Sequence, residues 1–343
     1  MKALNRRDKS VVGLDVGSYS VKLVHLLHQE EGYKLLSGLE EECFAPEGDN
    51  LEKVVEAIEK VFHRAGLKLR RCEEVVTSVS GSGTTIKQVN FPLLTDEELR
   101  SSIKWQASKH LPFGPEEAVL DYQVLSRDEE SESMSILLAA VTKTYLAEHL
   151  ELLRKVGIEP LIIDFSPLAL LNTLLATQEL VEDRALVVLD MGAKNTILSV
   201  YRPGGLFFTR EISVSGHKMT SEVQKQLGVT YEEAEEIKKD GKSNQKLLTI
   251  LKAPLDQLVF EIRRSLTYYE NRTGKGGFDK LYLAGGSSRL VKIDTHLQSN
   301  LGVPVEEMNP LKGIEIDGSQ MELRTAVPQL TLAVGLALRD LED

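Results

Sequence analysis

Cysteine is nearly missing from this sequence. Cys43 and Cys72 are the only two in 343 residues, with no CxxC and no metal-like spacing. Two thiols without a framework argue against a disulfide-stapled secreted domain and fit a reduced, cytosolic protein. Aromatic residues make up only 6% of the chain, whereas Leu, Val and Ile are plentiful, as sheets covered by helices require. An excess of positive charge is also lacking. The formal net charge is −11, and phosphate-dominated binding needs a concentrated basic face, so no nucleic-acid partner is expected. The one basic cluster, Lys2, Arg6, Arg7 and Lys9, precedes the first strand and reads as a solvated tail or a weak contact with anionic lipid. No run reaches the ~18 apolar residues of a membrane span, and no apolar stretch of a signal peptide follows the basic start. A soluble protein with no span of its own is expected. The histidines (His25, His28, His63, His110, His149, His217 and His296) are scattered and form no ligand pair. Gly241-Lys242-Ser243 imitates the end of a Walker loop, but Glu236 stands where its first glycine should be and no strand precedes it, so a P-loop is excluded.

What is there begins with a repeat. Val12-Gly-Leu-Asp-Val-Gly-Ser18 leads into alternating Val21 and Leu23, and Val188-Leu-Asp-Met-Gly-Ala193 leads into Ile197 and Val200. Superposing Asp15 on Asp190 also puts Leu14 on Leu189, Gly17 on Gly192 and Leu23 on Leu198, which suggests a duplicated domain. Each unit predicts a β-hairpin with a glycine-bearing tip. Gly17 and Gly192 let the backbone approach a ligand and turn its N–H groups toward it. Two such tips across a cleft can grip a polyphosphate. Asp15 and Asp190 then suit a hydrated Mg²⁺ that bridges phosphates, with Ser18 and Lys22 on one tip and Lys194, Asn195 and Thr196 on the other. A single Asp-x-Gly is an ordinary turn; the weight lies in two of them in matched context. A third element, Phe278 to Leu290, predicts a strand ending at Gly285-Gly286 and a helix from about Ser287, with the glycines flat against an adenine or ribose. Ala333-Val-Gly-Leu-Ala-Leu338 reads as a small-residue helix packed close to a sheet, at the interdomain hinge.

Taken in order, Asp15-x-Gly17-Ser18-x-x-x-Lys22, Leu189-Asp190-x-Gly192 and Ala284-Gly285-Gly286-Ser287 resemble the two phosphate loops and the adenosine motif of the actin, sugar-kinase and heat-shock chaperone superfamily. The segment between the first two selects a branch. Thr95-Asp-Glu-Glu98 is a capping box, followed by a stripe of Leu99, Ile103, Ala107 and Leu111 that Pro112 ends. A strand near 115–125, a polar loop, a strand over 135–141 and a helix over 142–156 with Gly157 as its cap complete an insert. Trp105 on its first helix reads as packing, and Asp121 as a local cap or pair. The insert is similar to the 1C subdomain of FtsA and PilM. Phe91 to Leu99, His110 to Glu117, Leu120 to Val124 and Gly157 to Asp164 resemble the PilM family of type IV pilus assembly proteins in particular.

That resemblance implies an α/β, actin-like (ribonuclease H-like) two-domain fold with an FtsA-type 1C subdomain. Its expected division is 1–90 with 157–185 as subdomain 1A, 91–156 as 1C, 186–213 with 279–343 as 2A, and 214–278 as 2B. It implies ATP and Mg²⁺ as cofactors and extends the nucleotide site to Tyr19, Ala193, Gly216 and Arg289. Glu235 and Lys238 resemble the Ala-Glu-x-x-Lys element that touches ribose and adenine, although the same residues also read as an exposed charged helix with i, i+3 pairs. The chaperones' hydrolytic Glu aligns with Phe165, and Asp164 is the nearest carboxylate, a candidate catalytic residue only if the register slips. Slow hydrolysis is therefore expected. The resemblance further implies a scaffold bound to the N-terminal cytoplasmic peptide of a PilN-like bitopic inner-membrane protein, near other pilus motor or platform proteins. An FtsA-like filament former and a small-molecule kinase remain alternatives. Leu336-Ala-Leu-Arg-Asp-Leu-Glu-Asp343 is too acidic and short for the amphipathic membrane helix of FtsA.

Overall fold

Alternation of side chains decides how the first strand is used. In β1 (Lys9–Val16), Val12 and Leu14 point to one face and Val11 and Gly13 to the other, because successive residues of a strand face opposite ways. Both faces are buried, so the strand needs helices on each side. The computed structural model describes residues 9–44, 50–71, 74–181, 183–203, 207–240, 244–274, 276–316 and 327–341. Lys2, Arg6, Arg7, Cys72 and the rejected Gly241-Lys242-Ser243 lie outside the described residues.

The first half continues with β2 (Ser20–Gln29), β3 (Gly32–Glu42), α1 (Asn50–Arg64) and β4 (Val75–Val79). An insert follows: β5 (Thr84–Pro92), α2 (Asp96–Ala107), β6 (Ala118–Asp128), β7 (Ser133–Thr142) and α3 (Lys143–Lys155). The half closes with β8 (Ile162–Phe165) and α4 (Ser166–Thr177). The second half holds β9 (Ala185–Met191), β10 (Thr196–Tyr201), β11 (Phe208–Ile212), α5 (Gly216–Leu227), α6 (Tyr231–Asp240), α7 (Asn244–Ile250), α8 (Lys252–Thr273), β12 (Phe278–Ala284), α9 (Ile293–Leu301), β13 (Val305–Glu307), β14 (Glu315–Ile316) and α10 (Thr331–Ala337).

Strand order makes the duplication plain. One sheet runs β14-β3-β2-β1-β4-β8 and the other β11-β10-β9-β12-β13, so apart from the added β14 both read third, second, first, fourth, fifth. In each, the first three strands are an antiparallel meander and the last two are parallel additions. The register is duplicated as well: Leu14 lies opposite Leu23, and Leu189 opposite Leu198.

Each sheet is covered on one face by its own helices. Ala57, Ile58, Val61 and Phe62 of α1 and Leu153 of α3 pack on Val12, Leu14, Val21 and Leu23. Leu255, Leu258 and Ile262 of α8 pack on Val187, Leu189 and Leu198. The other faces are covered by exchange. Leu170 and Leu174 of α4 pack on Leu186, Val188 and Tyr282 of the second sheet, and Val334 and Ala337 of α10 pack with Val24 and Leu26 of the first. Two glycines permit this. A Cβ on Gly13 would stand 2.1 Å from the Ala333 carbonyl oxygen, and one on Gly335 would stand 1.8 Å from that of Ala169, both far inside contact distance. The small-residue helix anticipated near the chain's end is thus the crossing point of the halves.

The insert's sheet runs β5-β7-β6. β5 pairs with β7 along its whole length, from Thr84–Val141 to Pro92–Ser133. β5, which the expected division left mostly in 1–90, thus belongs to the insert's sheet. α2 carries the expected capping box, with Thr95 and Glu98 bonded reciprocally. Trp105 does not pack: it is 71% exposed, with the Lys109 ammonium 5.0 Å from its ring centroid. No described helix is long and apolar enough to cross a membrane.

Candidate functional site

Both hairpin tips are built alike. Gly17 N–H donates to the Ser20 carbonyl at 3.2 Å, and Gly192 N–H to the Asn195 carbonyl at 3.0 Å. A Cβ would meet those same oxygens at 2.8 and 2.7 Å, so each tight tip is reserved for glycine. The tips face each other across a cleft of about 970 Å³ between the halves. Asp15, Gly17, Ser18, Tyr19 and Lys22 line it from the first half, and Asp190, Gly192, Ala193, Lys194 and Asn195 from the second. Thr196, named with the second tip, is instead buried, its hydroxyl donating to the Val214 carbonyl at 2.6 Å.

The third motif closes one wall. β12 ends at Ala284, and Gly285 turns at φ 82 in a place where a Cβ would lie 2.4 Å from Asp190 Oδ1. Only glycine lets this turn sit against the Asp190 carboxylate. Residues Gly286–Arg289 form a single 3₁₀ turn, and α9 begins only at Ile293, because Lys292 adopts a left-handed conformation. The predicted helix from Ser287 is thus delayed. Gly285, Gly286, Ser287 and Arg289 all line the cleft. The start of α5 is fastened to the second tip, Gly216 N–H donating to the Gly192 carbonyl at 3.0 Å and His217 N–H to that of Ala193 at 2.8 Å.

Glu235 and Lys238 are not the exposed pair of a solvated helix. Lys238 Nζ donates to Glu235 Oε2 at 2.6 Å, to Thr220 Oγ1 at 2.8 Å and to the Gly216 carbonyl at 3.3 Å. Thr220 in turn donates to Glu235 at 2.5 Å. Burial depresses the Lys238 pKa, against the opposing pull of Glu235.

Charge is distributed unevenly between the tips. Lys22 pairs with Asp15 at 3.2 Å. Burial opposes the Lys22 charge, but Asp15, Glu40 and Asp190 outweigh it, and its pKa is raised. Asp190 is pushed up to about 7 by burial and then by Asp15, with Lys22 countering. Two carboxylates therefore share one cation. Among the described residues no set of three or more His, Cys, Asp or Glu side chains forms a metal cage. That donor set fits a cation such as Mg²⁺, which keeps most of its shell as water and ligand oxygens. Cys43 is buried behind the first tip, its thiol aimed at the Gly17 carbonyl at 3.6 Å and its pKa raised to about 11 chiefly by desolvation.

Asp164 does not reach the cleft. Its carboxylate accepts from the Phe165 N–H at 2.7 Å and faces Arg339 at 3.9 Å, and burial raises its pKa. Hydroxyls line that wall instead: Ser78 and Ser166, whose oxygens lie 3.1 Å apart, and Ser80, with His149 beside them. Sequence reading missed these, together with Glu211, His217 and Lys239. Ser80 follows the C-terminal end of parallel strand β4, where open α/β sheets place their ligands, and that was the available signal. Glu211 lies cross-strand from Ile197 and carries no motif.

A family model described as type IV pilus assembly protein PilM matches residues 13–341. The solved PilM-PilN type IV pilus biogenesis complex superposes with a TM-score of 0.83, at 27% identity over 97% of this chain and 99% of that one. Ethanolamine utilization protein EutJ from Carboxydothermus hydrogenoformans gives a TM-score of 0.57 at 16% identity, covering 96% of this chain and 89% of its own. MreB 5 of Spiroplasma citri, solved bound to AMPPNP, gives 0.52 at 12% identity, covering 95% and 94%. The last two share the fold alone, which is the actin-like ATPase fold. In sequence, the cell division protein FtsA of Bacillus subtilis is 22% identical over 255 residues, 66% of this chain, and the chain spans 57% of that relative's length.

Proposed function

The chain belongs to the PilM family of type IV pilus assembly proteins, and from that premise we propose that it is a cytoplasmic, ATP-binding scaffold of the pilus inner-membrane platform. The observation that carries the nucleotide half of the reading is the meeting of Asp15, Asp190 and Gly285 in one cleft between two like hairpin tips. In this reading the phosphates lie between residues 17–19 and 192–195, where tip N–H groups, Lys22 and Lys194 offer positive charge. Ribose and adenine lie toward Gly216, Glu235, Lys238, Gly285, Gly286, Ser287 and Arg289. Asp15 and Asp190 would hold Mg²⁺ through water. The ion would supply neutralisation of the phosphate charge when bound. Hydrolysis is slow, since Asp164 points away to Arg339 and transfer to water needs a group that orients it.

The partner half of the reading rests on the likeness to the solved PilM-PilN complex. The scaffold takes the N-terminal cytoplasmic peptide of a PilN-like bitopic protein in the groove beside the insert, and so lies at the inner membrane without a span of its own. Contacts with other motor or platform proteins follow from that position. The division is that of 1A, 1C, 2A and 2B, with 1C widened to begin near residue 84 on the pairing of β5.

The test is a titration of purified protein with the N-terminal peptide of a PilN-like protein, with and without Mg·ATP. Saturable one-to-one binding is expected. Absence of peptide binding by protein that binds ATP would overturn the scaffold reading and favour a kinase or a filament former.

A further inference from the structure

Two short segments meet across the rim of the cleft. From the first half come Tyr19 in the β1–β2 tip, Glu42 at the end of β3, and Phe44 just beyond it. From the second come His217 in the first turn of α5, and Tyr231 and Lys239 in the first and last turns of α6. Lys239 Nζ donates to Glu42 Oε1 at 2.8 Å and to Tyr19 Oη at 2.8 Å, and lies 4.8 Å from the Tyr19 ring centroid. The Phe44 ring stacks on Tyr19 with centroids 5.8 Å apart, and meets His217 at 4.5 Å and Tyr231 at 5.1 Å. His217 and Tyr231 are hydrogen-bonded to each other.

Three features set this cluster apart from ordinary packing. Among the described residues, no main-chain hydrogen bond joins these two segments, so side chains alone hold them together. The ion pair is half open to solvent, the side chains of Lys239 and Glu42 being 49% and 63% exposed, so it is weak and screened by salt. Tyr19, Glu42, His217 and Lys239 also line the cleft itself. Burial opposes the Lys239 charge, but its hydrogen bonds to Glu42 and Tyr19 outweigh that, and its pKa is raised, so the charge is present at neutral pH. A contact with these properties opens far more readily than the crossing of α4 and α10, whose backbones touch.

We propose that Lys239, bonded to Glu42 and Tyr19, is a latch that sets how fast a nucleotide enters and leaves the cleft. The inference rests on the nucleotide reading above. Closing the latch bridges the two tip-bearing halves over the ligand, so departure waits for the ion pair and the ring stack to part. Lys239 and Glu42 are outside the set assigned to the nucleotide, so changing them alters passage more than affinity.

Stopped-flow release of a fluorescent N-methylanthraniloyl-ADP, chased with unlabelled ADP, tests this. The proteins are wild type, Lys239→Met, Glu42→Gln and the charge swap Lys239→Glu/Glu42→Lys. Each is measured at about 0.1 M and about 1 M salt, between which the Debye length falls from ~10 to ~3 Å. Release from each single variant is expected to be about two- to fivefold faster, the change that loss of a half-exposed ion pair gives. High salt should speed release from wild type but not from Lys239→Met, and the swap should restore slow release. Equal release from all four proteins at both salts would overturn the latch while leaving nucleotide binding intact. So would a lower melting temperature in the single variants with unchanged release, the mark of a merely structural contact. No binding signal with wild type would overturn the nucleotide reading and the latch with it.

Discussion

Laid over one another, the two hairpins share a frame of pairing and tip glycine but differ in how that frame handles charge. Leu14 opposes Leu23 as Leu189 opposes Leu198, and the tip glycines make the same hydrogen bond. One position further along, Asp15 faces Lys22, but Asp190 faces Ile197. The first tip therefore neutralises its own carboxylate, whereas the second leaves Asp190 buried against Gly285 with only a shared, more distant cation. The halves keep the same frame, and the exchange of Lys22 for Ile197 within it turns the second tip into the place where an added cation gains most. The halves also differ in where they accept insertions. The first opens between its fourth and fifth strands for β5 to α3, the second between its third and fourth for α5 to α8.

The largest effect should come from breaking the exchange that joins the halves. Gly335→Ala puts a Cβ 1.8 Å from the Ala169 carbonyl oxygen, and overpacking of backbone on backbone is expected to cost about 3 kcal/mol or more in denaturant unfolding. A loss below about 1 kcal/mol would show that the helices cross more loosely. The next two substitutions sharpen the charge asymmetry, because the same change in the two tips should have opposite signs. Asp15→Asn removes the paired carboxylate of buried Lys22 and should destabilise by about 3 kcal/mol. Asp190→Asn should stabilise at pH 8 by up to about 4 kcal/mol, the amount that corresponds to a pKa raised from 3.8 to about 7. The sign follows from proton binding: between those values the folded state holds a proton that the unfolded state has lost. Wild-type stability thus falls as pH rises from about 4 to about 7, and the slope should flatten in Asp190→Asn. Both variants should weaken Mg·ATP binding in calorimetric titration, and an unchanged affinity in Asp190→Asn would remove that residue from the site.

Smaller effects compare the two insertions. Thr95 caps α2 and Thr230 precedes α6 with reciprocal bonds to Glu233. Thr95→Ala and Thr230→Ala should each cost about 1 kcal/mol in thermal melts, since both caps are exposed alike. Trp105→Ala should change stability by less than about 0.5 kcal/mol, its ring being 71% exposed. A larger loss would mean that Trp105 is covered in solution.

Much of this was legible from the residues. The Asp-x-Gly repeat announced both hairpins and their register, because tight tips and two-sided burial leave few other spellings. Gly285 and the Ala333–Leu338 helix were legible for the same reason: close approach demands small residues. Other features escaped because their cause is tertiary. The sequence of 84–92 looks like any strand, and only β7 reveals that it belongs to the insert. Asp164 offered a carboxylate near the expected position, but it accepts from the Phe165 N–H and faces Arg339, far away along the chain, instead of the cleft. The delayed start of α9 turns on the left-handed conformation of Lys292, a residue with no local preference for it. Lys239 is one of a pair of lysines with opposite fates, Lys238 turned into α6's buried network and Lys239 out to Glu42.

The exchange of α4 and α10 has a consequence for how the chain is made. The strands of residues 9–29 leave a ribosome long before the helix that covers one of their faces, residues 331–337. Until it arrives, Val11, Val24 and Leu26 are bare, and pairing them demands closure of a very long loop. The nascent first half is therefore a natural client for a holding chaperone, and synthesis interrupted before residue 331 leaves a sticky sheet rather than half of a working protein.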